Sequence, residues 1–199
     1  METALQFKAM SYFRSRRNAP LNALIETLRQ PVTVLDIGGT HHFWSTVDSA
    51  GRCRITLLNL DQGDVIADAR NLPYADDSFD LVVSNSLIEH VGQWADIKAA
   101  CAEIRRVGKR GWVQTPSPMF PIEPHLLLPF IHWLSPDLQR AVLRYVPAKG
   151  IRTRQPGEIR EVLERTSLIS KAELRELFPG CAIHTEWFLF PKSHIVTWG

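Results

Sequence analysis

The chain has 199 residues, enough for one domain with a sizeable core and little more. Apolar residues make up 45% and charged residues 22%, which excludes collagen-like, coiled-coil and mainly disordered chains. Lys plus Arg number 23 and Asp plus Glu 21, so the net charge of +2 is too small to draw in nucleic acid by bulk attraction.

The chain opens on a helical pattern. Thr3 and Gln6 fit a capping box, and Leu5, Ala9, Tyr12 and Phe13 recur at helical spacing. Pro20 suits the first turn of a second helix, Leu21 to Arg29, which Gln30-Pro31 ends. Val32 to Ile37 is a short, β-branched, apolar run and reads as a buried strand, broken by Gly38-Gly39. Thr40 to Ala50 is weakly helical. Two more strands are expected at Arg54 to Leu60 and Asp64 to Ala67, with only Gln62-Gly63 between Asp61 and the latter. A fourth strand is Phe79 to Val83. Trp94 to Val107 reads as an amphipathic helix with Ile97, Cys101 and Ile104 on one face, stopped by Arg105, Arg106 and Gly108. A fifth strand is Gly111 to Thr115.

From Pro116 to about residue 150 the chain reads as an insertion over the sheet ends, with a helix from Pro136 to Tyr145. Ser170 and Glu173 form a capping box for a helix that stops near Pro179-Gly180. Cys181 to Phe190 and His194 to Trp198 read as strands turning at Pro191-Lys192-Ser193, an antiparallel hairpin. Strands alternating with helices predict one α/β domain over residues 1–199: a mainly parallel, Rossmann-like sheet of seven strands, with N-terminal helices in 1–30.

Cys53, Cys101 and Cys181 are far apart without a C-x-x-C, which leaves a structural zinc site without support and suits a reducing compartment. Met1 to Phe13 lacks the apolar core of a signal peptide. The longest apolar stretch, Leu126 to Leu134, is too short to span a bilayer. The expected location is cytoplasmic.

Ligands of open parallel sheets bind at the carboxyl ends of the strands, near the switch in strand order. The strand ends here carry Asp36, Gly38 and Gly39; Asp61; Asp68 and Ala69; and Ser84 and Asn85, with Glu89-His90 shortly after. Alone, Asp61 and Asp68 also read as solvated strand-end carboxylates. Val34-Leu35-Asp36-Ile37-Gly38-Gly39 resembles motif I of the class I S-adenosylmethionine-dependent methyltransferases. Asp68 to Pro73 and Asp77 to Val82 resemble the adenine segment and fourth strand of that family. Ile88-Glu89-His90-Val91 resembles the segment after the family's fourth strand, and Phe178-Pro179-Gly180 with the final hairpin resembles its closing strands. Within that family, the chain resembles the small bacterial, methyltransferase domain 11-like type.

The resemblance implies S-adenosyl-L-methionine as cofactor. Asp36 would order the glycine loop near the methionine ammonium. Asp61 would accept the ribose hydroxyls, Asp68 the adenine amino group, and the Ala69 N–H would meet the ring. Gly38 and Gly39 would let the backbone approach the ligand. Thr40 and His42 stand where the motif has further glycines, and Gln62-Gly63 replaces a helix.

Pro121-Ile122-Glu123-Pro124-His125 falls beside the expected methyl-transfer position. The inserted segment resembles those of small methyltransferases linked to glycan or lipid modification, so O-methylation of a small-molecule, glycan or lipid-linked acceptor is expected. His125 and His90 are candidate general bases, with Glu123 orienting His125. A nicotinamide-dependent oxidoreductase would need G-x-G-x-x-G, absent from Gly38 to Phe43. Nucleic-acid methylation lacks the N-P-P-Y-type segment, replaced by Ser84-Asn85-Ser86-Leu87. A catalytically silent binding or scaffold protein is the alternative reading. The adjacent His41 and His42 read as surface residues, and no metal is expected. The apolar insertion reads as a packed lid, with a peripheral membrane contact or a dimer contact as further readings. Oligomeric state is not readable.

Overall fold

The computed structural model describes residues 18–199, so the helix expected around Leu5 to Phe13 lies outside the described residues. A helix at 18–26 (α1) leads into β1 (Val32–Ile37), at the bounds its apolar run predicts. The weak segment after it forms a single turn, α2 (His41–Trp44), capped by Thr40, then a 3-10 turn at Asp48–Arg52. Next come β2 (Cys53–Asn59), a two-residue β3 (Val65–Ile66) and β4 (Leu81–Asn85). A 3-10 turn (Ile88–His90), α3 (Trp94–Val107) and β5 (Gly111–Pro116) complete the first half.

The fourth strand starts two residues later than its apolar run predicts. Phe79 makes only an isolated bridge to Gly108, while Asp80 is held by Thr33 and Lys109. The insertion holds β6 (Ile122–Glu123), β7 (Leu128–Pro129) and α4 (Pro136–Tyr145). It continues into α5 (Pro156–Glu164), a helix that the sequence pattern did not predict. Leu126, Ile131, Leu143 and Ile159 form a small core of their own there, so the unit extends past residue 150. The chain closes with α6 (Lys171–Leu177), β8 (Ala182–Phe188) and β9 (Phe190–Trp198), and the expected capping box of Ser170 and Glu173 is formed.

The sheet has seven strands in the order β3-β2-β1-β4-β5-β9-β8, parallel except at β9. One correction concerns the hairpin. It turns at Leu189 (φ 60°), and Pro191 to Ser193 lie inside β9. Pro191 stands opposite Trp187, beside the irregularity in β8 between Glu186 and Trp187, and a bulge is where a strand tolerates proline.

Apolar side chains cover both faces. One cluster joins Leu35, Ile37, Val82 and Val113 to α3 and α6, and the other joins Val34, Leu81, Val83 and Trp112 to α1 and Trp44. The order reverses between β1 and β4, so the open crevice lies above their carboxyl ends. Beside it β2 and β3 are joined without a helix, which leaves Leu60 and Ile66 72% and 67% exposed. Among the described residues, no helix is long and apolar enough to cross a membrane.

Candidate functional site

After β1 the backbone turns at Gly38, whose φ of +78° lies in the left-handed region that glycine favours. Its N–H donates to the Leu58 carbonyl at 2.8 Å. A Cβ on Gly38 would stand 2.7 Å from Leu87 Cδ1, and one on Gly39 would stand 1.7 Å from Asp36 Oδ2. Both glycines thus lie close against neighbours within the chain, and Gly38 also lines the cavity described below.

Asp36 is fully buried, and its Oδ2 accepts the Trp44 indole N–H at 2.7 Å. Its Oδ1 has no partner. Burial pushes its pKa up to about 7, against the lowering effect of the Trp44 bond. Between about pH 4 and 7 the folded chain keeps a proton that the unfolded chain has released. Stability must therefore fall as pH rises through that window, by up to roughly 4 kcal/mol at about 1.4 kcal/mol per pKa unit. Asp36→Asn keeps an acceptor for Trp44 and removes the titration. Urea midpoints from pH 4 to 8 should fall less steeply in the variant than in the wild type. Parallel curves would contradict the assignment.

The Gly38 loop walls a cavity of about 350 Å³, shared with Asn59, Asp61, Asp68, Ala69 and His90. Four expected cofactor residues, Gly38, Asp61, Asp68 and Ala69, thus meet in one place. Asp36 and Gly39 shape the loop without lining the cavity. Ser84 and Asn85 end β4 outside the lining, each with a buried side-chain oxygen that lacks a partner. Asp61 is exposed at the rim. The Arg70 guanidinium grips the Asp68 carboxylate at 2.6 and 3.0 Å and also reaches Asp96 at 2.8 Å. These bonds hold Asp68 below the usual carboxylate range. Asn59 was not singled out in the sequence, although it closes the β2 run. Its amide donates to the Gly39 carbonyl at 3.1 Å and ties β2 to the glycine loop.

A second cavity, also of about 350 Å³, lies under the insertion and is lined by Glu123, His125, Ile131, Trp133, Val162 and Leu163 among others. Glu123 is buried and accepts from His125 Nδ1 at 2.7 Å and from the His125 backbone N–H at 2.8 Å. Burial pushes its pKa upward, but these bonds and one from the Leu126 N–H hold it below the ordinary value. The His90 and His125 rings meet edge to face, 4.7 Å between centroids. His90 belongs to the first cavity and His125 to the second, so this contact is the seam between them.

All three expected catalytic residues converge here, and a fourth joins them. Glu89 is 1% exposed, and its Oε2 accepts from Thr115 Oγ1 at 3.0 Å. Burial pushes its pKa up to about 7. The sequence placed it shortly after the fourth strand, in the segment Ile88 to Val91, without giving it a role. His41 and His42 are exposed, on α2. Of the insertion's apolar residues, Leu126 and Ile131 are buried while Leu127, Phe130 and Trp133 are about half exposed.

Residues 32–113 match the methyltransferase domain family. No curated protein matches the chain in sequence. Among solved structures, the PH0226 protein of Pyrococcus horikoshii is similar at 16% identity and a TM-score of 0.55, over 99% of this chain and 92% of that one. The YcgJ protein of Bacillus subtilis is similar at 18% identity and a TM-score of 0.54, over 86% and 70%. A Rhodobacter sphaeroides protein named as a zinc-dependent alcohol dehydrogenase is similar at 13% identity and a TM-score of 0.58, over 88% and 86%. At these identities the likeness is one of fold.

Proposed function

We propose that this chain, which carries a class I S-adenosylmethionine-dependent methyltransferase domain and takes S-adenosyl-L-methionine as its cofactor, methylates a hydroxyl group of an acceptor seated under the insertion. The observation that carries this reading is the seam: the cavity walled by Gly38 and Asp61 meets the cavity walled by Trp133 at the His90–His125 contact.

The first cavity fits the cofactor in size and in donor set. Asp61 at the rim suits the ribose hydroxyls, since one carboxylate can accept from both. Asp68 and the Ala69 N–H flank the place for the adenine. The unpartnered Asp36 Oδ1, buried beneath the loop, suits a cationic amino group or a water ordered by it. Bound there, the cofactor supplies an electrophilic methyl on a sulfonium.

The acceptor cavity combines apolar walls with one polar corner. Ile131, Val162 and Leu163 favour an apolar body, and His125 with Glu123 marks where the hydroxyl stands. With the cofactor bound, an acceptor hydroxyl held beside His125 and Glu123 would take the methyl as the sulfur departs with the electron pair, and its proton would pass to this polar corner. Holding the two reactants in line and dry is the chain's main contribution. The cluster of Glu89, His90, His125 and Glu123 promotes the loss of the proton. A small-molecule phenol, a glycan and a lipid-linked alcohol all satisfy this chemistry.

The test is transfer of a labelled methyl to panels of phenols, glycans and lipid-linked alcohols. Product on oxygen is expected, and product on amines alone would contradict the reading. Asp61→Ala should raise the cofactor KM about 10- to 100-fold, the worth of a charged hydrogen bond, without unfolding the protein. An unchanged KM would remove Asp61 from the site.

A further inference from the structure

Three ligating side chains from two separate segments converge at the seam. Glu89 and His90 come from the 3-10 turn after β4, and His125 comes from the loop between β6 and β7. One ligand atom of each lies within 4.8 Å of the other two. The bonds around them decide which atoms remain available. His90 Nδ1 faces the Arg165 carbonyl at 3.2 Å and Thr166 Oγ1 at 3.4 Å. His125 Nδ1 faces Glu123 Oε1 at 2.7 Å. With an acceptor on Nδ1, each ring carries its proton there and offers Nε2 as a lone pair. Glu89 uses only Oε2, on Thr115, while its buried Oε1 has no partner.

An unpaired carboxylate oxygen in a buried position is costly unless something cationic meets it. The imidazoles of His90 and His125 beside it can each offer one nitrogen as a ligand. We propose that Glu89, His90 and His125 hold a divalent transition-metal ion, with zinc as the fitting example. Two histidines and one carboxylate are a catalytic zinc set, which leaves a fourth position for an exchangeable oxygen. Glu123 is the positioning residue: a carboxylate on the far nitrogen of a ligating imidazole fixes its tautomer and raises its basicity. Ligand atoms about 2 Å from one ion lie closer together than the present spread, so the side chains close by something of the order of 1 Å on binding.

Of the three ligands, His125 lines the acceptor cavity. On the methyltransferase reading, the fourth ligand would be the acceptor's own hydroxyl, polarised by the ion. The inference rests on the methyltransferase reading for that role. It favours acceptors with two adjacent oxygens, such as catechols or vicinal diols, which an ion can chelate.

The experiment uses the full chain after removal of metal with a chelator and dialysis. Zinc is titrated by calorimetry, and cobalt is titrated while visible absorption is recorded. One equivalent of each should bind, with cobalt giving the d–d bands of a nitrogen and oxygen site. Glu89→Gln and His125→Ala should each weaken zinc binding by about 100-fold or more, and Glu123→Gln by about 10- to 100-fold. A variant with both His41→Ala and His42→Ala should bind zinc as the wild type does. Circular dichroism checks that each variant is folded. A folded wild type that binds neither ion, or binding unchanged in both Glu89→Gln and His125→Ala, overturns the site. S-adenosylhomocysteine is titrated into the same samples. Cofactor binding without metal binding overturns the cation site and leaves the methyltransferase reading standing. Zinc binding without cofactor binding keeps the site and removes that reading.

Discussion

His125→Ala is expected to lower turnover by about 10²- to 10⁴-fold, the range for a group that assists proton loss, while S-adenosylhomocysteine affinity stays near the wild-type value. The split arises from geometry. His125 lines the cavity under the insertion and not the one walled by Gly38. Its ring is fixed by Glu123 and by contact with His90, so its loss removes the polar corner at which the proposed acceptor hydroxyl would stand. The variant also leaves Glu123 Oε1 buried without its donor, at a cost of about 1–3 kcal/mol. His125→Asn keeps a short donor near Glu123 and separates the loss of the ring from that penalty. Single-turnover methyl transfer with saturating cofactor measures the effect. Near-normal turnover in His125→Ala, with His90→Ala inactive, would move the role to His90.

Gly39→Ala is expected to weaken S-adenosylhomocysteine binding by about tenfold or more and to destabilise the fold by about 1–3 kcal/mol. The added methyl would fall 1.7 Å from Asp36 Oδ2. Asp36 cannot swing aside freely, because Trp44 holds that oxygen and the side chain is fully buried. The loop must therefore shift, and with it the Gly38 wall of the cavity. The coupling is testable. Asp36→Ala removes the obstructing carboxylate, so the double variant should be less destabilised than the sum of the two single changes. Strict additivity in urea unfolding would show that the clash is relieved some other way.

Local patterns carried most of the fold. The run Val32 to Ile37 ends where Gly38 takes a positive φ, and α3 runs between the residues its apolar spacing names. Errors arose where tertiary pairing overrides local punctuation. Pro191 looked like a turn residue, yet the hairpin reverses at Leu189, and Pro191 pairs with Trp187 of β8 inside β9. The sequence reading placed no helix between Tyr145 and Ser170, but Pro156 opens α5 at its first turn, and Ile159 packs on the insertion's own core.

The candidate site was legible only in part. Asp61, Asp68 and Ala69 could be named from strand ends, since the sheet brings strand ends together. Glu89 was named without a role and Asn59 was overlooked, because their roles depend on Thr115 and on the Gly39 carbonyl, both far away in sequence. The meeting of His90 with His125 is likewise a product of how the insertion reaches the turn after β4, which no spacing along the chain encodes.

If the crevice above β1 and β4 holds S-adenosylmethionine in reach of the His90–His125 seam, titration calorimetry of the wild-type protein with S-adenosylhomocysteine tests it most directly. One site per chain is predicted, with affinity reduced in Asp61→Ala and in Gly39→Ala but retained in His125→Ala. A folded wild-type protein that takes up no S-adenosylhomocysteine, or one that binds it equally well in all three variants, would contradict this placement of the cofactor.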